Sequence, residues 1–150
     1  MNAHSSPSAP HDVADALHAL THAWRAQMRQ AGQQIAPGLT GQELRWLVAV
    51  GYRPGLTPTA LAEPMGVDKA QLSRTLDRLE AQGWLERRPH PGDKRSRSLH
   101  LSATGQALYT QLRAVREQVS TRMLQGCTPH EVAQLTTLLQ RLQQQLTNSQ

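Results

Sequence analysis

The chain has 150 residues, 38% of them hydrophobic and only 3% aromatic, with a formal net charge of +5. That length suits one compact domain, or one domain with helical extensions. A mean hydropathy of −0.54, with no long apolar run, excludes a membrane-spanning helix. The single cysteine, Cys127, leaves no intrachain disulfide and agrees with a reducing compartment. It is not spaced with any of the seven histidines as a zinc-ligand set, so no metal site and no cofactor are expected.

Where the charge lies says more than its size. Lys69, Arg74, Arg78, Arg87, Arg88, Lys94, Arg95 and Arg97 are eight of the sixteen basic residues, and only Asp77, Glu80, Glu86 and Asp93 oppose them in that stretch. A surplus of four positive charges in under a fifth of the chain suits a phosphate backbone, although a merely solvated basic surface has the same composition.

Residues 1–11 are rich in Ser, Pro and His, without a basic start or an apolar run, and read as a loose arm instead of a signal peptide, so a cytoplasmic protein is expected. From Val13 to Ile35 apolar residues recur at 13, 16, 17, 20, 24, 28, 31 and 35, the spacing of a helix with one apolar face. Pro37-Gly38 ends it. Thr40-Gly41-Gln42-Glu43 has the form of a capping box and opens a second helix. Leu44, Trp46, Leu47, Val48, Ala49 and Val50 make that helix apolar nearly all round, so neighbours should enclose it, with Arg45 as its charged exception. Gly51 to Gly55 reads as a turn.

Thr57-Pro58 is an N-cap followed by proline at the first helical position. The short helix after it carries Ala60, Leu61, Ala62 and Met65. Pro64 should end it early or kink it, because proline removes a backbone donor and disfavours helix at Glu63. Gly66 stops it, and Asp68 caps a helix running to about Gln82, halted by Gly83. Two short helices about a tight glycine turn outline a helix-turn-helix. In the second of them Leu72, Leu76 and Leu79 share the core face. Ala70, Arg74, Asp77, Arg78 and Ala81 lie opposite, with Gln71 and Ser73 at the edges. Small residues let such a face approach a groove, and Gln and Arg can bond base edges or phosphates. An ordinary solvated face is the plain alternative.

Trp84 to Arg88 reads as a strand, Pro89 to Lys94 as a turn, and Arg95 to Leu101 as a returning strand in which Ser98-Leu99-His100-Leu101 alternates polar and apolar. A basic-tipped hairpin placed directly after such a helix is a wing, whose arginine can enter a narrow minor groove. Ser102-Ala103-Thr104-Gly105 then starts a helix with Leu108, Leu112, Val115, Val119 and Met123 on one side. Thr128-Pro129-His130-Glu131 caps the last helix, where Val132, Leu135, Leu139, Leu142 and Leu146 alternate steps of three and four. That narrow stripe is a seam for a partner helix, or for packing within one subunit.

The order of parts resembles the MarR family of bacterial winged-helix regulators over about residues 12–147. Three stretches carry the likeness: Leu56 to Ala62; Val67 to Glu80 with Gly83-Trp84-Leu85-Glu86-Arg87; and Asp93-Lys94-Arg95-Ser96-Arg97 leading into Leu99-His100-Leu101-Ser102-Ala103-Thr104-Gly105. The resemblance implies a mainly α fold with a small β-hairpin wing. A winged helix-turn-helix over 40–102 would be carried on a helical dimerisation region formed by 12–36 and 103–147. It implies a homodimeric repressor whose two recognition helices enter successive major grooves of a palindromic operator, with release by a small aromatic or phenolic effector. Position by position, Asp93 would orient Arg95 for the minor groove. Lys69, Gln71, Ser73, Arg74 and Arg78 would face the major groove and adjacent phosphates, and Lys94 and Arg97 would add to the wing's contacts. Trp24, Met28, Arg45 and Trp46 are the effector candidates, because aromatic walls and one buried cation suit an aromatic acid. Alternatively the tryptophans are core and Arg45 satisfies a carboxylate or carbonyl. Some relatives sense oxidants through a cysteine near the first helix. Cys127 lies instead before the last helix, which favours a passive thiol. There is no glycine-rich phosphate loop, nucleophile elbow or placed carboxylate pair, so an enzyme is not expected. The competing reading is a helical adaptor that keeps the fold without specific DNA binding.

Overall fold

The computed structural model describes residues 10–63 and 66–148, with the backbone alone at Pro10, Asp93 and Lys94. In chain order the elements are α1 (Pro10–Ile35), α2 (Gly41–Tyr52), α3 (Pro58–Ala62), α4 (Lys69–Ala81), β1 (Leu85–His90), β2 (Asp93–Leu101), α5 (Ala103–Met123) and α6 (Pro129–Thr147). The fold is thus mostly helical with one antiparallel hairpin. The chain forms two compact units that divide after Arg116, within α5.

Each predicted helix start carries its cap. The hydroxyls of Thr40, Thr57 and Thr128 accept from the backbone N–H three residues on, as does the carboxylate of Asp68. Glu43 and Glu131 complete two capping boxes by reaching back to the backbone N–H of Thr40 and Thr128. In the second of these boxes the N–H of Thr128, and then its hydroxyl, hold the Glu131 carboxyl below its ordinary value. α4 ends as predicted: with Gly83 at φ +77°, Gly83 N–H donates to Glu80 O and Trp84 N–H to Leu79 O, both at 2.9 Å. This pair of bonds closes the helix and turns the chain directly into β1.

The core of the first unit gathers Leu39, Leu44, Trp46, Leu47, Val50, Leu61, Leu72, Leu76, Leu79, Leu85, Leu99, Leu108 and Leu112. α2 is enclosed as expected, and Leu72, Leu76 and Leu79 of α4 all point inward. Removing one such side chain costs about 2–5 kcal/mol, a large part of a typical domain's stability, so the core fixes how α4 is held. Leu99 is fully buried and doubly tied. It faces Arg87 across the hairpin, and on its other edge it pairs with Leu56 in an isolated bridge.

Three boundaries differ from expectation. α1 begins at Pro10, inside the predicted arm, because the local sequence continues the helix upstream of the apolar stripe. α2 runs on to Tyr52 through the predicted turn. The wing strands reach His90 and Asp93, leaving Pro91-Gly92 at the tip. Pro89 is tolerated because a two-stranded ribbon has an outer edge on which a missing N–H breaks no ladder. The register jumps from Pro89↔Arg97 to His90↔Asp93, so Lys94, Arg95 and Ser96 form an outward bulge on β2. α3 closes at Ala62; Pro64, with its expected effect on the helix, and Met65, expected on that helix, lie outside the described residues.

Candidate nucleic-acid interface

The outward side of α4 carries Lys69, Gln71, Ser73, Arg74 and Arg78, all exposed. The caps and the three leucines fix this helix, so the direction of its polar side chains follows from the core. Arg78 differs from the others. Its guanidinium forms an ion pair with Glu43 of α2, whose carboxylate is buried. Glu43 Oε2 serves the capping box, and Oε1 has no hydrogen-bond partner among the described residues apart from that guanidinium. From sequence, Glu43 is expected in the capping box alone and Arg78 at the groove.

The wing is anchored to α4 by a residue that the sequence reading did not single out. Arg87 of β1, whose side chain is only 21% exposed, places Nη1 2.7 Å from both Asp77 Oδ1 and Glu80 Oε2. Its backbone N–H donates to Glu80 Oε1 at 3.0 Å. A partly exposed pair contributes about 1 kcal/mol or less, so the consequence of this clamp is geometric more than energetic: strand and helix keep one orientation. Ser98 Oγ is buried and donates to Arg88 O at 3.2 Å, which tightens the hairpin from within. Arg95 and Arg97 are exposed on β2, while the roles expected of the Asp93 and Lys94 side chains lie outside the described residues. At the base of the wing, Ser102 Oγ donates to Gly83 O and accepts from Gly105 N–H, joining the end of α4 to the start of α5.

The predicted effector residues do not form one buried set. Trp24 and Met28 are half-buried one turn apart on α1, and Trp46 of α2 is buried with its indole N–H unpartnered among the described residues. Arg45, expected as a buried cation or as the partner of a carboxylate or carbonyl, is exposed and contacts the Gln42 side-chain oxygen. Consecutive helical residues diverge by roughly 100°, which is why Arg45 faces out where Trp46 faces in. A separate cleft of about 80 Å³ is walled by Pro58 and Thr59 of α3, Lys69, Ser73 and Leu76 of α4, and Arg87. Among the described residues no cluster of His, Cys, Asp and Glu could hold a metal ion. Cys127 is exposed.

Residues 38–96, from the loop before α2 into the second strand of the wing, match the model of the MarR family. The multiple antibiotic resistance protein MarR of Escherichia coli strain K12 is 32% identical over 116 residues, covering 76% of this chain and 81% of that protein. The solved reduced form of MarR from E. coli is 27% identical with a TM-score of 0.69, over 91% of this chain and 98% of that one. A MarR family transcriptional regulator from Listeria monocytogenes, complexed with a 26mer DNA, shares the fold at 19% identity and a TM-score of 0.75, over 96% of this chain and 92% of that one. Such regulators are not enzymes. The chain belongs to the MarR family of winged-helix transcriptional regulators.

Proposed function

We propose that this regulator is a repressor that grips a palindromic operator as a homodimer, with α4 of each subunit in successive major grooves and each wing in the flanking minor groove. The observation that carries the reading is α4 itself. Its apolar face is locked into the core, while Lys69, Gln71, Ser73 and Arg74 stand exposed on the helix that Arg87 fastens to a basic wing. Gln71, Ser73 and Arg74 suit base edges, Lys69 and Arg78 suit phosphates, and Arg95, oriented by Asp93 and flanked by Lys94 and Arg97, suits the minor groove. Dimerisation through 12–36 and 103–147 is supported by two uncovered apolar stripes: Val13, Leu17 and Leu20 on α1, and Leu135, Leu138, Leu139, Leu142 and Leu146 on α6. Half-sites would then lie about 34–36 Å apart. The relative solved with DNA supports the same partner.

A small aromatic acid releases the repressor in this reading. Trp24, Met28 and Trp46 would supply its walls, and Arg45, standing at the surface, would meet its carboxylate. A partner in the nucleoid implies a cytoplasmic protein, and no helix among the described residues is long and apolar enough to cross a membrane.

Selection of duplexes from a random library by the full chain, followed by fluorescence anisotropy and sedimentation, tests the proposal. Palindromic duplexes should be enriched and bound at nanomolar levels by two chains, with affinity falling about a thousandfold or more between 50 and 200 mM salt. Equal affinity for every duplex would refute specific binding and favour the adaptor reading.

A further inference from the structure

Among the described residues two chemically identical capping boxes differ in their burial. In each, a glutamate accepts from the threonine backbone N–H at 2.7 Å and from its hydroxyl at 2.9 Å, and the glutamate N–H returns a bond to the hydroxyl at 3.3 Å. Glu131 does this on an open surface. Glu43 does it at 1% exposure. The bonds are the same length either way, so burial adds nothing to capping, and a buried carboxylate is costly unless both oxygens are compensated. The second oxygen of Glu43 is compensated by Arg78 alone among the described residues.

Arg78 gives up little of its reach in doing so, for its side chain remains 50% exposed. A guanidinium carries five N–H donors in a rigid fork, and one carboxylate oxygen cannot occupy them all. Direction matters as well. At roughly 100° per residue, Arg74 lies about 165° from the centre of the α4 core face and Arg78 about 125°. Arg74 therefore points outward along the middle of the exposed side, and Arg78 points toward its flank, where a helix lying in a groove passes the sugar-phosphate wall. An unrestrained arginine there would lose rotamer freedom on contact, whereas one already held loses less.

We infer that Glu43 is a positioning residue for DNA recognition: it fixes the Arg78 guanidinium against the first turn of α2, so that the remaining donors meet one phosphate at the groove edge. The inference rests on the reading that α4 enters the groove. It makes a prediction opposite in sign to plain electrostatics. Deleting a carboxylate beside DNA raises the positive charge of that face and should tighten binding to any duplex. If Glu43 positions Arg78, deletion weakens binding to the specific duplex instead.

The test uses the full chain, a duplex selected by the wild type, and a scrambled duplex of equal length. Failure of the wild type to tell these two apart would be a failure of the DNA-recognition reading, visible before any variant is made. Glu43→Gln keeps a capping box, since glutamine serves at that position. It should bind the selected duplex about tenfold more weakly, near the lower end for one charge-assisted hydrogen bond. Its affinity for the scrambled duplex should be unchanged or higher. Glu131→Gln should leave both affinities as they are. In an Arg78→Gln background, Glu43→Gln should bring no further loss. Equal tightening on both duplexes by Glu43→Gln, or no change on either, would overturn the inference. Should Glu43→Gln not fold, Arg78→Lys carries the question: an ammonium can pair with Glu43 but offers no fork to hold a phosphate as well. A comparable loss on the selected duplex is expected, and wild-type affinity in Arg78→Lys would overturn the inference.

Discussion

Gly105→Ala tests the joint between the wing and the helix after it. A Cβ at this position would stand 2.0 Å from the carbonyl oxygen of Trp84, 3.1 Å from its carbonyl carbon and 3.4 Å from Leu101 Cβ. Carbon and oxygen settle at about 3.3 Å, so the two segments would have to part by more than about 1 Å. The obstacle is backbone, and no change of rotamer moves it. What must give is the joint itself: Ser102 N–H to Trp84 O at 3.2 Å, Ser102 Oγ to Gly83 O at 2.5 Å, and Gly105 N–H to Ser102 Oγ at 3.0 Å. Each bond contributes about 1 kcal/mol net, and alanine's better helix propensity offsets up to about 1 kcal/mol of the loss. With overpacking strain included, a net loss of about 2–3 kcal/mol is expected. For a chain of this size that lowers Tm by about 4–12 °C. Thermal unfolding followed by circular dichroism measures it, with Gly38→Ala as reference. A Cβ at Gly38 meets nothing within 4 Å, and its φ is not positive, so that variant should match or slightly exceed wild type. A Gly105→Ala Tm within about 2 °C of wild type would refute the close-approach argument.

Three further outcomes can be checked. Arg95→Ala should weaken binding to a selected duplex by about 1–3 kcal/mol while sedimentation still finds dimers, because an exposed wing residue makes no core contact; wild-type affinity would remove the wing from the interface. Leu139→Glu puts a charge into the exposed stripe of α6, and should give monomers and abolish operator binding together; dimers surviving in the ultracentrifuge would place the subunit seam elsewhere. Glu131 has its carboxyl held low in the folded state, first by the Thr128 N–H and then by the Thr128 hydroxyl. A carboxyl so lowered adds stability above its unfolded value of about 4.3, and the addition is lost as pH falls through the lower folded value. The Tm advantage of wild type over Glu131→Gln should therefore hold at pH 7 and shrink as pH falls below the unfolded value; a gap that stays constant or widens on acidification would contradict the linkage.

What the sequence made legible follows from range. Every cap acts over three residues: Thr40 on Glu43, Thr57 on Ala60, Asp68 on Gln71, Thr128 on Glu131. The glycine stop at Gly83 is equally local, and the leucines of α4 repeat at helical steps. Such patterns can be read along a string because the backbone itself brings the partners together. The pairs that determine how α4 and the wing are presented cannot be read that way. Arg87 meets Glu80 and Asp77 only because the chain reverses at Gly83, and Arg78 meets Glu43 only because α2 and α4 pack in one core. Helical angle alone shows that Arg78 points away from the leucines, but a direction leaves the partner unspecified: the buried Glu43 carboxylate stands on that side, where a phosphate is proposed to come as well. The wing shows the same division. Its position and basic character are local, whereas its longer strands and the bulge at Lys94, Arg95 and Ser96 depend on cross-strand register, which proline and glycine near the tip made look like loop. Local signals thus indicate which helix carries the exposed polar side chains proposed to meet DNA. Long-range ion pairs determine how rigidly those side chains are aimed, and Glu43→Gln addresses that property without touching a residue that faces DNA.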